Sequence, residues 1–451
     1  MASARLPLLC VLLAAAVSSA RGRGASYLGP GRGAATKHAA DSPYTLPRTA
    51  IGPNVALMEQ LAEAGALRRG PTAAALAAAA AKPDPFNSSS LKGVGYILSS
   101  AKNQLAMFRD WDGALARREL GFAAAAGANA VSVSLHWALW ASNAPSFFAA
   151  VDDLLAAAAG AGLRGAVLVV FDGLGFDPNG GALDLLSSGA YKTVDWVSNP
   201  GFSQLANATL APVLDAYVAA LVARYGADAR VLGFDAFFQP QLCAPCASTA
   251  FVARALAALA GVRAGAWVTT TIIPGGAACD GKNGLDKAAG RTLVAFENYN
   301  GNPGAVGGDT CGVQSCAQSL GGLPVLLTGS MSRFERPPSD LCEILFEAGG
   351  QAYGPLNIPS HPPIGVIVPW LMIGVDQFTR DASQGLVFPN GTWYSERERG
   401  CFSAAVPPVP PPPPGPPPTG VNFTTPDGLR VGLRNSTRAV EIVNIVGDDR
   451  W

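Results

Sequence analysis

Charge is scarce in this chain. Only 14% of its 451 residues are charged, and 32 basic residues balance 32 acidic ones. A net charge of zero leaves no electrostatic footprint for a nucleic acid or an anionic membrane surface, so neither is expected as a partner. Histidine is scarcer still, and the three present, His38, His136 and His361, are scattered. Cys243-Ala-Pro-Cys246 has no second pair at zinc spacing, so neither a metal site nor a redox centre is expected, and no cofactor is implied. A glycine-rich phosphate turn is missing too: Gly93-Val-Gly-Tyr96 has the wrong spacing for a dinucleotide fold. Beyond the first residues no stretch offers ~20 uncharged apolar positions, so no membrane span is expected.

The start of the chain reads as a targeting segment. Arg5 precedes an apolar run from Leu6 to Val17, and Ser18-Ser-Ala20 supplies small residues where a signal peptidase cuts. Residues 1–20 are therefore expected to be a secretory signal, with an organellar transit peptide as the alternative. Five N-x-S/T sequons, at Asn87, Asn207, Asn390, Asn422 and Asn435, fit a secreted glycoprotein in the extracellular space or the cell wall. Cys10 leaves with the signal. Cys243, Cys246, Cys279, Cys311, Cys316, Cys342 and Cys401 are then disulfide candidates, with one thiol left over. Cys311 with Cys316, and Cys243 with Cys246, lie close enough in sequence to bridge a loop.

Four regions follow. Residues 21–88 form an Ala-, Gly- and Arg-rich leader. Across 89–403 short β-type runs alternate with Ala/Leu helical patterns, the signature of βα units around a parallel sheet. The strand candidates are Lys92–Tyr96, Ala130–Leu135, Gly165–Phe171, Val231–Phe237, Ala266–Ile272, Leu293–Phe296, Pro324–Thr328 and Gly365–Trp370. Helical patterns fall between them, at Asp112–Ala126, Pro145–Ala161, Asn207–Tyr225 and Thr249–Leu259. Eight such units across roughly 310 residues predict an α/β fold of the (β/α)₈ TIM-barrel type, with a doubly wound open sheet as the alternative. Residues 404–419 are a Pro-rich linker, a stiff polyproline II spacer. Residues 420–451 are a short β-type segment with two strand-like runs, Leu429–Leu433 and Ala439–Val446, too small to hold a core alone.

Val231-Leu-Gly-Phe-Asp-Ala-Phe-Phe-Gln-Pro240, led by Asp228 and Arg230, resembles the fourth-strand motif of the cellulase- and mannanase-type barrel glycoside hydrolases, R-V-x-x-W-D-x-x-N-E-P. Leu91–Tyr96, Met107–Asp112, Val167–Asp172, Trp196–Gly201, Leu323–Gly329 with Met331 and Arg333, and Gly385–Ser395 resemble other stretches of that family, in matching order. The resemblance implies a retaining glycosidase barrel. It also implies that the active residues have been replaced. Gln239 stands where the family has its acid/base Glu, Phe238 where it has the Asn, and Gly329 where it has the nucleophile. Ser132 takes the place of an orienting Arg, and the sixth strand ends Phe296-Glu-Asn-Tyr299 in place of F-H-x-Y. A carboxamide cannot donate and recover a proton near neutral pH, and a retaining mechanism needs two carboxylates about 5 Å apart.

Several aromatic residues could still form a sugar-binding frame. Trp370 is implied to floor the site, and Tyr299, Trp137, Trp140, Phe237 and Phe238 either join it or pack in the core; Gln239 would take a hydroxyl. Glu297 and Asp172, at strand ends facing the C-terminal mouth, are the candidates for relocated chemistry, while Asp235 reads as a structural hydrogen-bonder. Three functions compete. The chain is a degenerate barrel binding poly- or oligosaccharide, an active hydrolase using relocated carboxylates, or a structural extracellular glycoprotein. Nothing in the sequence sets an oligomeric state.

Overall fold

In a computed structural model of the chain, the described residues are 91–173, 181–205, 209–240, 248–262, 265–272, 291–297, 322–328, 365–368 and 385–403. A few single positions between them and three strands between 421 and 444 are also described. Nine parallel segments make one sheet: β1 (Lys92–Gly95), β2 (Ala130–Ser134), β3 (Gly165–Val169), β4 (Val231–Asp235), β5 (Trp267–Thr269), β6 (Thr271–Ile272), β7 (Val294–Glu297), β8 (Val325–Thr328) and β9 (Gly365–Val368). Their order is β5-β4-β3-β2-β1-β9-β8-β7-β6. Because β5 and β6 are consecutive halves of one run interrupted at Thr270, the sheet closes on itself as an eight-stranded barrel. All eight strand candidates are realised, and the open-sheet alternative falls away.

Alternate residues on each strand serve two separate cores, as the two-residue period requires. Leu91, Ala130, Val167, Leu232, Trp267, Leu293, Ala295 and Leu326 form one buried cluster that fills the barrel. Their neighbours, among them Val131, Ala166, Val231, Val294 and Val325, belong to the larger cluster that joins strands to helices. Gly233 makes room for Trp267: a Cβ there would lie 2.8 Å from the Trp267 Cβ.

The helices fill the outer layer. Those of six residues or more among the described residues are α1 (Gln104–Arg109), α2 (Gly113–Ala125), α3 (Trp137–Gly160), α4 (Ala182–Ser188), α5 (Ala211–Tyr225), α6 (Ser248–Leu259) and α7 (Glu396–Ser403). Caps set where they begin. Asn103 Oδ1 accepts from Ala106 N at 2.8 Å, and Asp112 Oδ1 accepts from Ala114 N and Leu115 N, both at 3.0 Å. The α3 segment starts earlier than its sequence pattern suggested. Asn143, at φ −159°, breaks it, and its Oδ1 accepts from Ser146 N at 3.1 Å, which caps the second half opened by Pro145.

Residues 408–451 form a separate unit. It holds an antiparallel sheet of β10 (Val421–Thr424), β11 (Arg430–Asn435) and β12 (Val440–Asn444), in that order. Two strands were expected. The third, β10, is a four-residue alternation too short to stand out in the sequence without its partner β11.

Candidate functional site

Parallel strands in a closed barrel bring all their C-terminal ends to one mouth. Among the described residues three carboxyl groups meet there, each on a different strand or just past its end: Asp172 after β3, Asp235 closing β4 and Glu297 closing β7. All three are buried, and Glu297 is 0% exposed.

Asp172 is held by its neighbours. Oδ2 accepts from Ser134 Oγ at 3.1 Å and from Trp196 Nε1 at 3.0 Å. Its backbone exchanges hydrogen bonds with Asn199, at 2.6 and 2.8 Å. Asn199 in turn stitches two strand ends together, since Nδ2 donates to the carbonyls of Leu135 and Val170, both at 2.7 Å. Asp235 is held as firmly. It accepts from Thr271 N at 3.2 Å, from Thr271 Oγ1 and from Phe237 N at 3.2 Å. Burial pushes its carboxyl up to about 6, against the opposing pull of those hydrogen bonds and of the Arg291 charge.

Glu297 differs from both. Neither carboxyl oxygen has a hydrogen-bond partner among the described residues. Burial above all, then the charges of Asp172 and Asp235, raises its pKa well above the usual carboxylate range and favours the protonated form. The sequence allowed a solvated or ion-paired strand-end carboxylate here. Glu297 is buried and has no ion-pair partner among the described residues, because its strand position points it into the closed barrel rather than out at the rim.

Gln239 lies at the same end, 2% exposed. Its backbone is left-handed, with φ 54°. A non-glycine residue there carries a penalty of roughly 1–2 kcal/mol, sustained only when surrounding bonds over-determine the conformation. Those bonds are present. Gln239 N donates to Thr271 O at 3.0 Å, Phe238 N to Phe171 O at 2.8 Å and Gly173 N to Phe238 O at 2.8 Å. Gly173 is required for the approach, since a Cβ there would lie 2.5 Å from the Gln239 carbonyl oxygen.

The aromatic candidates divide. Trp140 is 1% exposed, with its ring centroid 5.8 Å from that of Tyr217. Phe237 is 0% exposed and packs edge-on against Phe171 and Phe251, at 6.2 and 5.8 Å. Both are core side chains and not sugar platforms, because each points into the layer between strands and helices. Trp137 is buried in the same cluster, and its Nε1 has no hydrogen-bond partner among the described residues. Phe238 alone of these is half-buried. Gly329, Tyr299 and Trp370 lie outside the described residues, as do Asn87, Asn207 and every cysteine except Cys401, which falls in α7. Asn422 and Asn435 fall in β10 and β11, and Asn390 is exposed on a turn. Ser132 sits in β2, in register with Gly95 and Val167.

Asn199, Trp196 and Thr271 build this mouth, yet the sequence assigned them no role. The polar run Thr269-Thr270-Thr271 inside a fully buried strand was the available signal for the last of them.

No family model matches this sequence, and no curated protein does. Solved structures with similar folds include a GH5_18 protein from Bifidobacterium longum subsp. longum, at 16% identity and TM-score 0.50, covering 69% of this chain and 78% of that one. A GH5_18 protein from Bifidobacterium longum subsp. infantis matches at 13% identity and TM-score 0.50, covering 70% and 79%. An exo-beta-1,4-mannosidase from Opitutaceae bacterium strain TAV5 matches at 13% identity and TM-score 0.45, covering 69% of this chain and 58% of its own. The closed parallel sheet and the likeness to the two Bifidobacterium longum proteins give the chain a (β/α)₈ barrel fold.

Proposed function

We propose that this protein is a secreted or wall-associated barrel that binds a poly- or oligosaccharide at its C-terminal mouth and does not hydrolyse it. The observation that carries this reading is Gln239, a carboxamide locked in a left-handed backbone at the strand end where the resemblance places the acid/base. An amide there can take a sugar hydroxyl but cannot cycle a proton. Among the described residues two of the three carboxyls at the mouth are engaged in structural hydrogen bonds, which leaves no unengaged pair there for attack and protonation. The test is calorimetric titration with β-linked glucan, mannan and xylan oligomers, beside a product assay on the same sugars. Binding with no turnover supports the reading. Neither binding nor turnover would leave the structural glycoprotein.

A second reading rests on Glu297, a buried acid with no hydrogen-bond partner among the described residues and a raised pKa, which is the profile of a general acid. Turnover in the wild type that vanishes in Glu297→Gln would establish relocated chemistry instead.

A further inference from the structure

After the last barrel strand the chain makes a five-residue turn, Phe388-Pro-Asn-Gly-Thr392. Gly391 N donates to Phe388 O at 2.8 Å and Phe388 N donates to Thr392 O at 2.8 Å, with Val387 and Trp393 bridged antiparallel beneath. Gly391 is required twice over. Its φ is 87°, and a Cβ there would lie 2.8 Å from two carbons of the Phe122 ring on α2. The turn is therefore rigid and packed against the barrel's outer layer.

Asn390 sits exposed at its crest, as the first residue of Asn390-Gly-Thr392. Its Oδ1 accepts from Thr392 N at 3.0 Å and from Thr392 Oγ1 at 2.7 Å, while Nδ2 has no partner among the described residues. Beside it stand Phe388, 37% exposed, and Tyr394, 46% exposed, the exposed large hydrophobic side chains among the described residues. Their rings stack with centroids 6.3 Å apart and planes 26° apart. A stacked aromatic face open to water beside a polar turn suits the C–H face of a pyranose.

We infer that Asn390 carries an N-linked glycan whose first sugar packs on the Phe388–Tyr394 face. The reaction joins Asn390 Nδ2 to C1 of an N-acetylhexosamine supplied by a lipid-pyrophosphate oligosaccharide. The C1–O bond to the pyrophosphate breaks, the lipid pyrophosphate leaves, and the amide gives up one proton. Thr392 holds the Asn390 carbonyl, and the turn sets the sugar two residues from Phe388. This inference is independent of what the barrel mouth binds and rests on passage through the secretory pathway.

The full chain would be produced in a eukaryotic secretory host and mapped by mass spectrometry after enzymatic deglycosylation in ¹⁸O water. The Asn390 peptide is expected to carry the label at high occupancy, and Asn390→Gln to lose one glycan mass. An unmodified Asn390 peptide, whatever the state of the other sequons, overturns the assignment. For the stacking, Phe388→Ala is expected to lower the Tm of the glycosylated protein by about 2–4 °C more than that of the deglycosylated protein. In the wild type, nuclear Overhauser contacts are expected between the first sugar and the Phe388 or Tyr394 ring protons. Equal Tm losses together with absent contacts would remove the aromatic platform from the proposal.

Discussion

Thr271 gives its backbone N–H to the Asp235 carboxylate, at 3.2 Å, and its hydroxyl to the same group. Diverting that N–H from the β-ladder accounts for the interruption between β5 and β6, and it ties the start of β6 to the end of β4, the strand beside β5. The bond that breaks the strand also holds a carboxyl in the interior. Among the described residues the mouth of this barrel is consequently a place of concentrated, mostly satisfied polarity, with Glu297 and the Thr270 hydroxyl as exceptions.

Stability is expected to fall as pH rises from acid toward neutral. Asp235 and Glu297 both have folded pKa values raised above their unfolded ones. Each therefore contributes stability that is fully present below the unfolded value and is lost as pH rises through the folded one. For Asp235 the window runs from 3.8 to about 6, and for Glu297 it opens at 4.5 and extends well above. The groups bearing on Glu297 are the charges of Asp172 and Asp235, and Arg291 acts on Asp235. Glu119, raised in the same direction, adds to the slope in every variant. Denaturation between pH 4 and 8 should show Glu297→Gln with a flatter profile above 4.5. An unchanged slope would mean that Glu297 finds a partner in solution.

Glu297→Leu should stabilise the protein at neutral pH by about 1–3 kcal/mol, the cost of an unsatisfied buried polar group. Denaturant unfolding measures it. Sugar binding should weaken in the same variant if Glu297 faces the ligand.

Asn199→Ala removes two donor bonds, leaving the Leu135 and Val170 carbonyls buried without them. The expected loss is about 1–3 kcal/mol for each carbonyl. Asp172 also loses the segment that braces it, so any activity or binding that depends on Asp172 should fall further than the stability loss explains. Asn199→Asp keeps the size but offers no donor, and it should not rescue the protein.

Phe237→Ala and Phe238→Ala separate core from site. Phe237→Ala should cost about 3–5 kcal/mol by leaving a cavity beside Phe171 and Phe251, with sugar affinity of the folded fraction unchanged. Phe238→Ala, at a half-buried position, should cost much less stability and weaken binding. The reverse pattern would show the strand end rotated from the orientation described.

Gln239→Glu with Gly329→Glu restores both family carboxylates by sequence position, but Ser132 still stands where the orienting Arg would be. Only slight hydrolysis of β-linked oligomers is expected, measured against the wild type and each single variant. Strong activity would show that the remaining replacements were not limiting.

The barrel was legible because its signal is local and repeated. Eight apolar β-type runs, each bounded by turns and spaced by helix-length patterns, admit few arrangements, and each became a strand of the closed sheet. Asp235, read from the sequence as a structural hydrogen-bonder, closes β4 and accepts from Thr271 and Phe237. Trp140 and Phe237 were not legible as core residues. An aromatic side chain near a strand end reads the same whether it turns toward the mouth or toward the helices, and only the packing with Tyr217, Phe171 and Phe251 decides.

The sequence by itself determined the strand count, the chemical identity of the replaced positions and the sequon at Asn390, because each is written in residue type and spacing. The tertiary structure alone decided what those residues face. Closure of the sheet took Glu297 out of water and left its oxygens without partners among the described residues. It placed Asp172 under Trp196 and Asn199, and it forced Gln239 into a left-handed backbone. Burial, desolvation and mutual charge depend on distances between residues remote in the chain, and no local pattern encodes them.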